Sequence, residues 1–171
     1  MESAHHDLGH VLSVDAEAIG QPGQRRFRLS LRSSNASASL WLEKEQLAAL
    51  GEALAQMNER LDQERGSGDP DVEPLPLPNA FDIDLRASRL GIGYEAEREL
   101  FAIHAFDAAA EDTRPALSWL VSRGQSRVLS RRIASVVAAG RPLCPLCDAP
   151  VDPEGHVCPR SNGHRDTQIV P

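Results

Sequence analysis

The sequence has few aromatic residues, few cysteines and no long apolar run. Seven of its 171 residues are aromatic and three are cysteines, so aliphatic side chains must form the core and a disulfide-rich scaffold is excluded. No apolar stretch reaches the length of a membrane span, which is about 20 residues, and the N-terminus has no basic and then apolar leader. These absences predict a cytoplasmic protein that does not contact a membrane.

A dense positive charge is also missing. The net charge is −7, with −10 on residues 1–117 and +3 on residues 118–171. Nonspecific nucleic-acid binding requires a cationic face that releases counterions, so the acidic body disfavours it. The basic C-terminal part leaves it as an alternative, through a surface formed by Arg127, Arg131, Arg132 and Arg160. Arginines on a solvated helix face are the more ordinary meaning of this pattern.

Alternating and helical periodicities predict a fold outline. Residues 1–9 are polar and are predicted to be loose. Alternation predicts strands at residues 11–19, 26–32, 36–42, 81–85, 88–94, 100–106 and 116–121. A stripe formed by Leu47, Leu50, Leu54, Met57 and Leu61 predicts one helix. A second helix follows the candidate N-cap Ser122 and is ended by Gly140 and Pro142.

The two halves of this outline resemble each other at an offset of 79 residues. In this alignment, the segment from Leu40 to Gln46 matches the segment from Trp119 to Gln125, and the apolar helix positions that follow also match. This predicts an α+β fold of two tandem antiparallel β-meander-plus-helix repeats, at residues 10–61 and 81–140. An acidic, proline-rich linker at residues 62–80 joins them, and a C-terminal zinc knuckle occupies residues 141–164. Chance similarity between strand–helix joints is the alternative to a repeat.

All three cysteines lie in one short segment with two histidines. Cys144 and Cys147 form a C-x2-C pair, Cys158 follows, and His156 and His164 flank it. Thiolates at this spacing with one imidazole can complete a tetrahedral metal site, and zinc is the usual ion. The spacing allows either histidine, although Gly155 favours a chain reversal that would bring in His156.

Burial alone is a poor explanation for an ordered C-terminal segment. Its sizeable apolar side chains are Leu143, Leu146, Val151 and Val157, too few to offset the entropy of ordering about twenty residues. A disulfide would leave one of the three cysteines unpaired. These considerations favour a bound metal ion.

Four stretches of the sequence resemble an uncharacterised bacterial family, domain-of-unknown-function family 3090. They are IGQPGQRRFRL (19–29), LEKEQLAAL (42–50), RLGIGYEAEREL (89–100) and VVAAGRPLCPLCDAPVDPEGHVCPR (136–160). The resemblance runs from about residue 11 to residue 162. It implies the ligand set Cys144, Cys147, His156 and Cys158, because a tyrosine can stand at the position of His164 in that family. It implies no activity.

The sequence is more typical of a binding module than of an enzyme. It lacks the G-x-S-x-G, H-E-x-x-H and phosphate-binding loop motifs, and no catalytic residue or organic cofactor is assigned. We expect a non-enzymatic, zinc-containing accessory module with an unidentified protein partner. A hydrolase-type metalloenzyme with an open zinc, using Asp152 or Glu154 as base, is the first alternative. Nucleic-acid binding is the second.

Overall fold

The computed structural model describes residues 3–21, 23–139, 144–149, 151 and 155–160. It contains two helices, α1 (Lys44–Arg65) and α2 (Arg123–Ala139). Its seven strands are β1 (His6–His10), β2 (Ser13–Ile19), β3 (Arg26–Arg32), β4 (Ser37–Leu42), β5 (Ile83–Glu95), β6 (Leu100–Asp107) and β7 (Leu117–Ser122). The predicted α+β class is confirmed.

The seven strands form one mixed sheet in the order β1-β7-β6-β5-β4-β3-β2. The pairs β4–β5 and β1–β7 are parallel, and the other neighbours are antiparallel. Each half therefore runs as three antiparallel strands followed by a helix, and a parallel pair joins the halves. Strand β1 was not predicted, because residues 1–9 were expected to be loose. That expectation is wrong for residues 6–9, where pairing with β7 compensates for a polar sequence.

The two edges of the sheet are brought together by one short stretch of chain. Strands β1 and β2 lie at opposite edges, yet only Val11 and Leu12 separate them. The Val11 N–H donates to the Leu120 carbonyl of β7 at 3.0 Å, whereas the Leu12 N–H donates to the Arg32 carbonyl of β3 at 2.8 Å. The sheet must therefore curl on itself, and β1 and β2 diverge from this crossing.

Strand β5 contains a bulge where two separate strands were expected. Before it, Ile83, Leu85 and Ala87 alternate with exposed residues. The pairing with β6 is irregular between Ala87 and Arg89, and after it Leu90, Ile92 and Tyr94 pack against the core. An extra residue in one strand reverses which positions face inward. The bulge explains why sequence periodicity divided β5 at this point.

The core lies between the inner face of the sheet and the two helices. Apolar residues of the strands form most of this core, and Leu29, Ile103 and Trp119 are fully buried. The helices add leucines of α1 and the Leu129 and Ile133 side chains of α2 to the same cluster. The helices meet at Gly51, where a Cβ atom would lie 2.6 Å from Cγ2 of Ile133. A residue without a side chain is therefore required at this contact.

A glutamine in the first turn of each helix ties that helix to a strand. The Gln46 side chain accepts from the Glu43 N–H at 2.8 Å and donates to the Ser88 carbonyl at 2.8 Å. The Gln125 side chain accepts from the Ser122 N–H at 2.9 Å and donates to the Val11 carbonyl at 2.9 Å. Each glutamine thus caps its helix. It also satisfies a carbonyl at the bulge of β5 or at the β1–β2 crossing.

The acidic linker packs against the body of the protein. Its first four residues continue α1 to Arg65, and we call the following residues 66–82 the strap. Asp69 of the strap accepts from the Gly124 N–H at 3.2 Å, and Asp71 accepts from Arg127 at 2.7 Å. Farther on, Ser13 donates to the Leu75 carbonyl at 3.0 Å. Hydrogen bonds to backbone groups and to carboxylates therefore hold the strap against the body, because the strap has too few apolar residues to form a core.

A buried arginine joins α2 to the end of α1. The Arg123 side chain is 1% exposed, and its guanidinium donates to the Asp62 carboxylate at 2.5 Å and to the Gly66 carbonyl at 2.6 Å. Within the part of the chain that the structure describes, its other two nitrogen atoms, Nε and Nη1, have no hydrogen-bond partner. Because a buried charge is costly without its counter-charge, Asp62 is the critical partner.

We predict that Gly51→Ala destabilises the protein by about 1–3 kcal/mol. In a solvent-exposed helix the same change stabilises by about 1 kcal/mol. Here the new methyl group would overlap Ile133, whose branched side chain is stiff within a helix. Urea unfolding measures the change, and the exposed Ala55→Gly variant is the control, with an expected loss of about 1 kcal/mol. A more stable Gly51→Ala protein would contradict the described packing of α1 on α2.

We further predict that Asp62→Ala costs about 3 kcal/mol, because it leaves the Arg123 charge buried and unpaired. Asp71→Ala should cost less than about 1 kcal/mol, since Arg131 is 59% exposed and Arg127 keeps its hydrogen bonds to the Ser67 and Asp69 carbonyls. Both values come from urea unfolding at neutral pH. Equal losses for the two variants would show that Arg123 is not buried as described.

Candidate metal centre

The first two cysteines lie on one tight turn. The Asp148 N–H donates to the Cys144 carbonyl at 2.9 Å, and the Cys144 N–H donates to the Ala149 carbonyl at 2.8 Å. Asp148 has a φ of 58°, in the left-handed region that aspartate tolerates better than most residues. The turn places the side chains of Cys144 and Cys147 on the same side.

The second arm returns to this turn through Gly155 and His156. Gly155 has a φ of 94°, a conformation that favours glycine, and it permits the reversal expected from the sequence. Arg160 donates to the Leu146 carbonyl at 3.0 Å and so ties the end of the second arm to the first turn. Sequence reasoning placed Arg160 on a possible nucleic-acid surface and missed this contact.

Four potential ligand atoms converge between the two arms. Among the described residues, one ligand atom each of Cys144, Cys147, His156 and Cys158 lies within 4.8 Å of the other three. The Cys144 and Cys158 Sγ atoms are 3.8 Å apart, and the Cys147 Sγ atom is 3.4 Å from Nε2 of His156. None of the three cysteines forms a disulfide bond with another described residue.

These separations fit a tetrahedral metal ion. Zinc–sulfur bonds of about 2.3 Å and zinc–nitrogen bonds of about 2.0 Å place tetrahedral sulfur atoms about 3.8 Å apart and a sulfur and nitrogen about 3.6 Å apart. The two measured distances agree with these values to within a few tenths of an ångström. The cluster could therefore bind a metal ion without large movement of the side chains.

The surroundings of the sulfur atoms affect their ionisation differently. Cys144 and Cys158 are each 5% exposed, and Cys147 and His156 are half-buried. The backbone N–H of Leu146, and then that of Cys147, lower the pKa of Cys144 by hydrogen bonding. The Ala149 N–H acts in the same direction on Cys147, but burial and the neighbouring Cys158 and Cys144 outweigh it and raise the pKa of Cys147. Several thiolates this close together repel one another unless a cation balances them.

The other residues named from the sequence have different outcomes. His164, Asp152 and Glu154 lie outside the described residues, so the alternative fourth ligand and the candidate bases of the enzyme reading stay predictions. The basic surface is largely paired internally. Arg127 and Arg131 contact Asp71, and Arg132 contacts Asp15 at 3.1 Å.

Comparison with known proteins identifies the family. The family described as "Protein of unknown function (DUF3090)" matches residues 6–158, which include all four cluster residues. The chain belongs to this family. The family resemblance predicted from the sequence is thus confirmed, and the matched description names no activity. No curated protein and no solved structure matches the chain. Among the described residues, neither helix is long and apolar enough to cross a membrane.

We predict that His156→Ala weakens zinc binding at least 10-fold, whereas His164→Ala leaves it unchanged within twofold. Only the first change removes an atom of the cluster. Competition with a chromophoric chelator measures both affinities on the full chain, and His164 serves as the matched histidine control. The opposite order of effects would assign the fourth ligand to His164.

Proposed function

We propose that the protein is a non-enzymatic, zinc-containing module that binds another protein. The observation that carries the metal part is the convergence of three sulfur atoms and one imidazole nitrogen within 4.8 Å of one another, with the Cys144–Cys158 and Cys147–His156 separations close to those of a tetrahedral zinc site. Thiolate and imidazole ligands favour zinc over magnesium or calcium, which prefer oxygen. Cys144, Cys147, His156 and Cys158 would then be the ligands.

A structural role for the ion accounts best for this donor set. Four protein ligands complete a tetrahedral zinc site and leave no position for the water that a hydrolytic zinc activates. The hydrolase alternative would require one ligand to be displaced and Asp152 or Glu154 to serve as base. The four-ligand cluster therefore supports the structural role, in which zinc orders the C-terminal segment.

Charge supports a protein partner over a nucleic acid. The net charge is −7, and Arg127, Arg131 and Arg132 already contact carboxylates of this chain. Nucleic-acid binding would have to break these pairs, and the acidic body would repel phosphates. Cysteines that ligate zinc as thiolates would also be compatible with a reducing compartment such as the cytoplasm.

We also propose that the halves at residues 10–61 and 81–140 arose as tandem copies of one unit. Supporting this, both halves run as three antiparallel strands and a helix, and both helices begin with a capping glutamine. The contacts are reciprocal: Gln46 of the first half reaches the Ala87 and Ser88 carbonyls, and Gln125 of the second half reaches the Val11 carbonyl.

Metal removal tests the central part of the proposal. Natively grown protein should contain one zinc per chain by elemental analysis. Chelation should abolish hydrogen-exchange protection at residues 144–160 but leave the strands of the sheet protected, because the sheet has its own apolar core. Restored zinc should restore the protection. Zinc-free protein in which residues 144–160 remain protected would refute the structural role of the ion.

A further inference from the structure

An open groove separates α1 from the second half of β5. It has a volume of about 380 Å³, and its lining is mostly apolar. From α1 it is lined by Gln46, Ala49, Leu50 and Ala53, and from β5 by residues 88–92. The groove lies apart from the cysteine cluster in sequence, and no residue of the cluster lines it.

One wall of the groove is an unpaired strand edge. Strand β5 pairs with β4 only as far as Arg86, and from Arg89 to Glu95 it pairs only with β6. Because backbone groups alternate between the two edges of a strand, every second residue of this part directs its N–H and C=O toward α1. Gln46 donates to the Ser88 carbonyl at one end of the groove. Among the described residues, the N–H and C=O groups of β5 that face α1 after Ser88 have no backbone hydrogen-bond partner.

The corresponding place beside α2 is closed by larger side chains. Counted from the capping glutamines, Ala49 and Ala53 of α1 correspond to Val128 and Arg132 of α2. Val128 is 9% exposed, and Arg132 contacts Asp15 of β2 at 3.1 Å. The closed and open sites therefore differ by the size of a few side chains.

No steric contact explains why the residue at position 91, on the strand side of the groove, is glycine. Gly91 lies four residues after Ala87, as Asp15 lies four residues after Val11. A Cβ atom at position 91 would meet nothing closer than the Cβ of His104 at 4.0 Å. Packing among the described residues therefore does not require glycine at position 91.

The charge at the groove favours an acidic group in the ligand. Arg89 is the charged residue of the lining, and its guanidinium stacks on Phe106 at 3.6 Å. It forms no ion pair with a carboxylate of the described residues, whereas the nearby Arg86 contacts Glu43 at 2.8 Å. A carboxylate beside Arg89 would gain a charge-assisted hydrogen bond.

We propose that this groove binds an extended segment of a partner protein, which adds to the free edge of β5 as an additional strand. Strand addition satisfies the unpaired backbone groups, and the apolar floor accepts side chains at every second position. An acidic residue of the segment lies beside Arg89. The inference deepens, and rests on, the protein-binding role proposed above, and it names the surface and the chemistry of the partner.

A peptide selection on the full-length, zinc-loaded protein tests the proposal. The probe is a phage-displayed library of random 12-residue peptides, and the control target is the Ala49→Val, Ala53→Arg, Gly91→Asp variant, which carries the residues of the closed site. Selected peptides should alternate apolar residues, carry Asp or Glu at one end and bind the control at least 10-fold more weakly. Arg89→Gln should reduce the preference for the acidic residue.

Hydrogen exchange on the wild-type protein provides a readout that does not depend on the folding of the triple variant. In the free protein, alternate N–H groups of residues 89–95 should exchange rapidly, and the selected peptide should protect them at least 10-fold. Peptides that bind wild type and control equally, or no enrichment at all, would overturn the proposal. The proposal would also be overturned if a second copy of the chain, or residues 161–171, already protected these N–H groups in the free protein.

Zinc content separates this inference from the metal proposal. Chelated protein should bind the selected peptide within twofold of the zinc-loaded protein, because no cluster residue lines the groove. If the groove variants lose peptide binding but keep their normal zinc content, the result supports the groove proposal independently of the metal proposal. A zinc-free native protein that still binds the peptide would refute the metal proposal and leave the groove intact.

Discussion

The crossing from β1 to β2 is the constraint on which the architecture depends. Val11 and Leu12 hydrogen-bond to β7 and β3, the strands next to the two opposite edges of the sheet, so the edges must meet within two residues. Beyond the crossing, β1 pairs with β7 and β2 pairs with β3, and α2 packs beside β2. The Gln125 side chain stabilises this point through the Val11 carbonyl. In the other half, the bulge in β5 and Gln46 occupy the corresponding place.

The body of the protein and its C-terminal segment differ in the interactions that can stabilise them. The curled sheet and its helices share one apolar cluster, which is sufficient to keep a strand edge exposed beside α1 without loss of the fold. The C-terminal segment has little to bury, and its large apolar side chains Leu146 and Val157 are exposed. An ion bound by its thiols and imidazole would replace the missing apolar contacts. We therefore propose that stability comes from hydrophobic burial in the body and from metal coordination in the C-terminal segment.

Local patterns predicted most elements and a metal site containing the three cysteines, but they left His156 and His164 open as the fourth ligand and did not predict the pairings between distant segments. Alternation located β3 and β6 because their buried residues face one side, and the C-x2-C spacing located Cys144 and Cys147. Strand β1 has only Leu8 as a buried apolar residue, so no periodicity revealed it. The parallel β4–β5 pair and the strap depend on contacts between remote residues, such as Asp71 with Arg127. Composition alone describes the strap as a solvated linker.

X-ray absorption at the zinc edge of natively grown protein tests the central claim most directly, because it reports the atoms bound to the ion. The account predicts three sulfur neighbours at about 2.3 Å and one nitrogen at about 2.0 Å, with no oxygen neighbour. A bound water or carboxylate oxygen in place of one of these atoms would indicate an open, catalytic type of site and would contradict the structural role. Protein without a bound metal would contradict the account altogether.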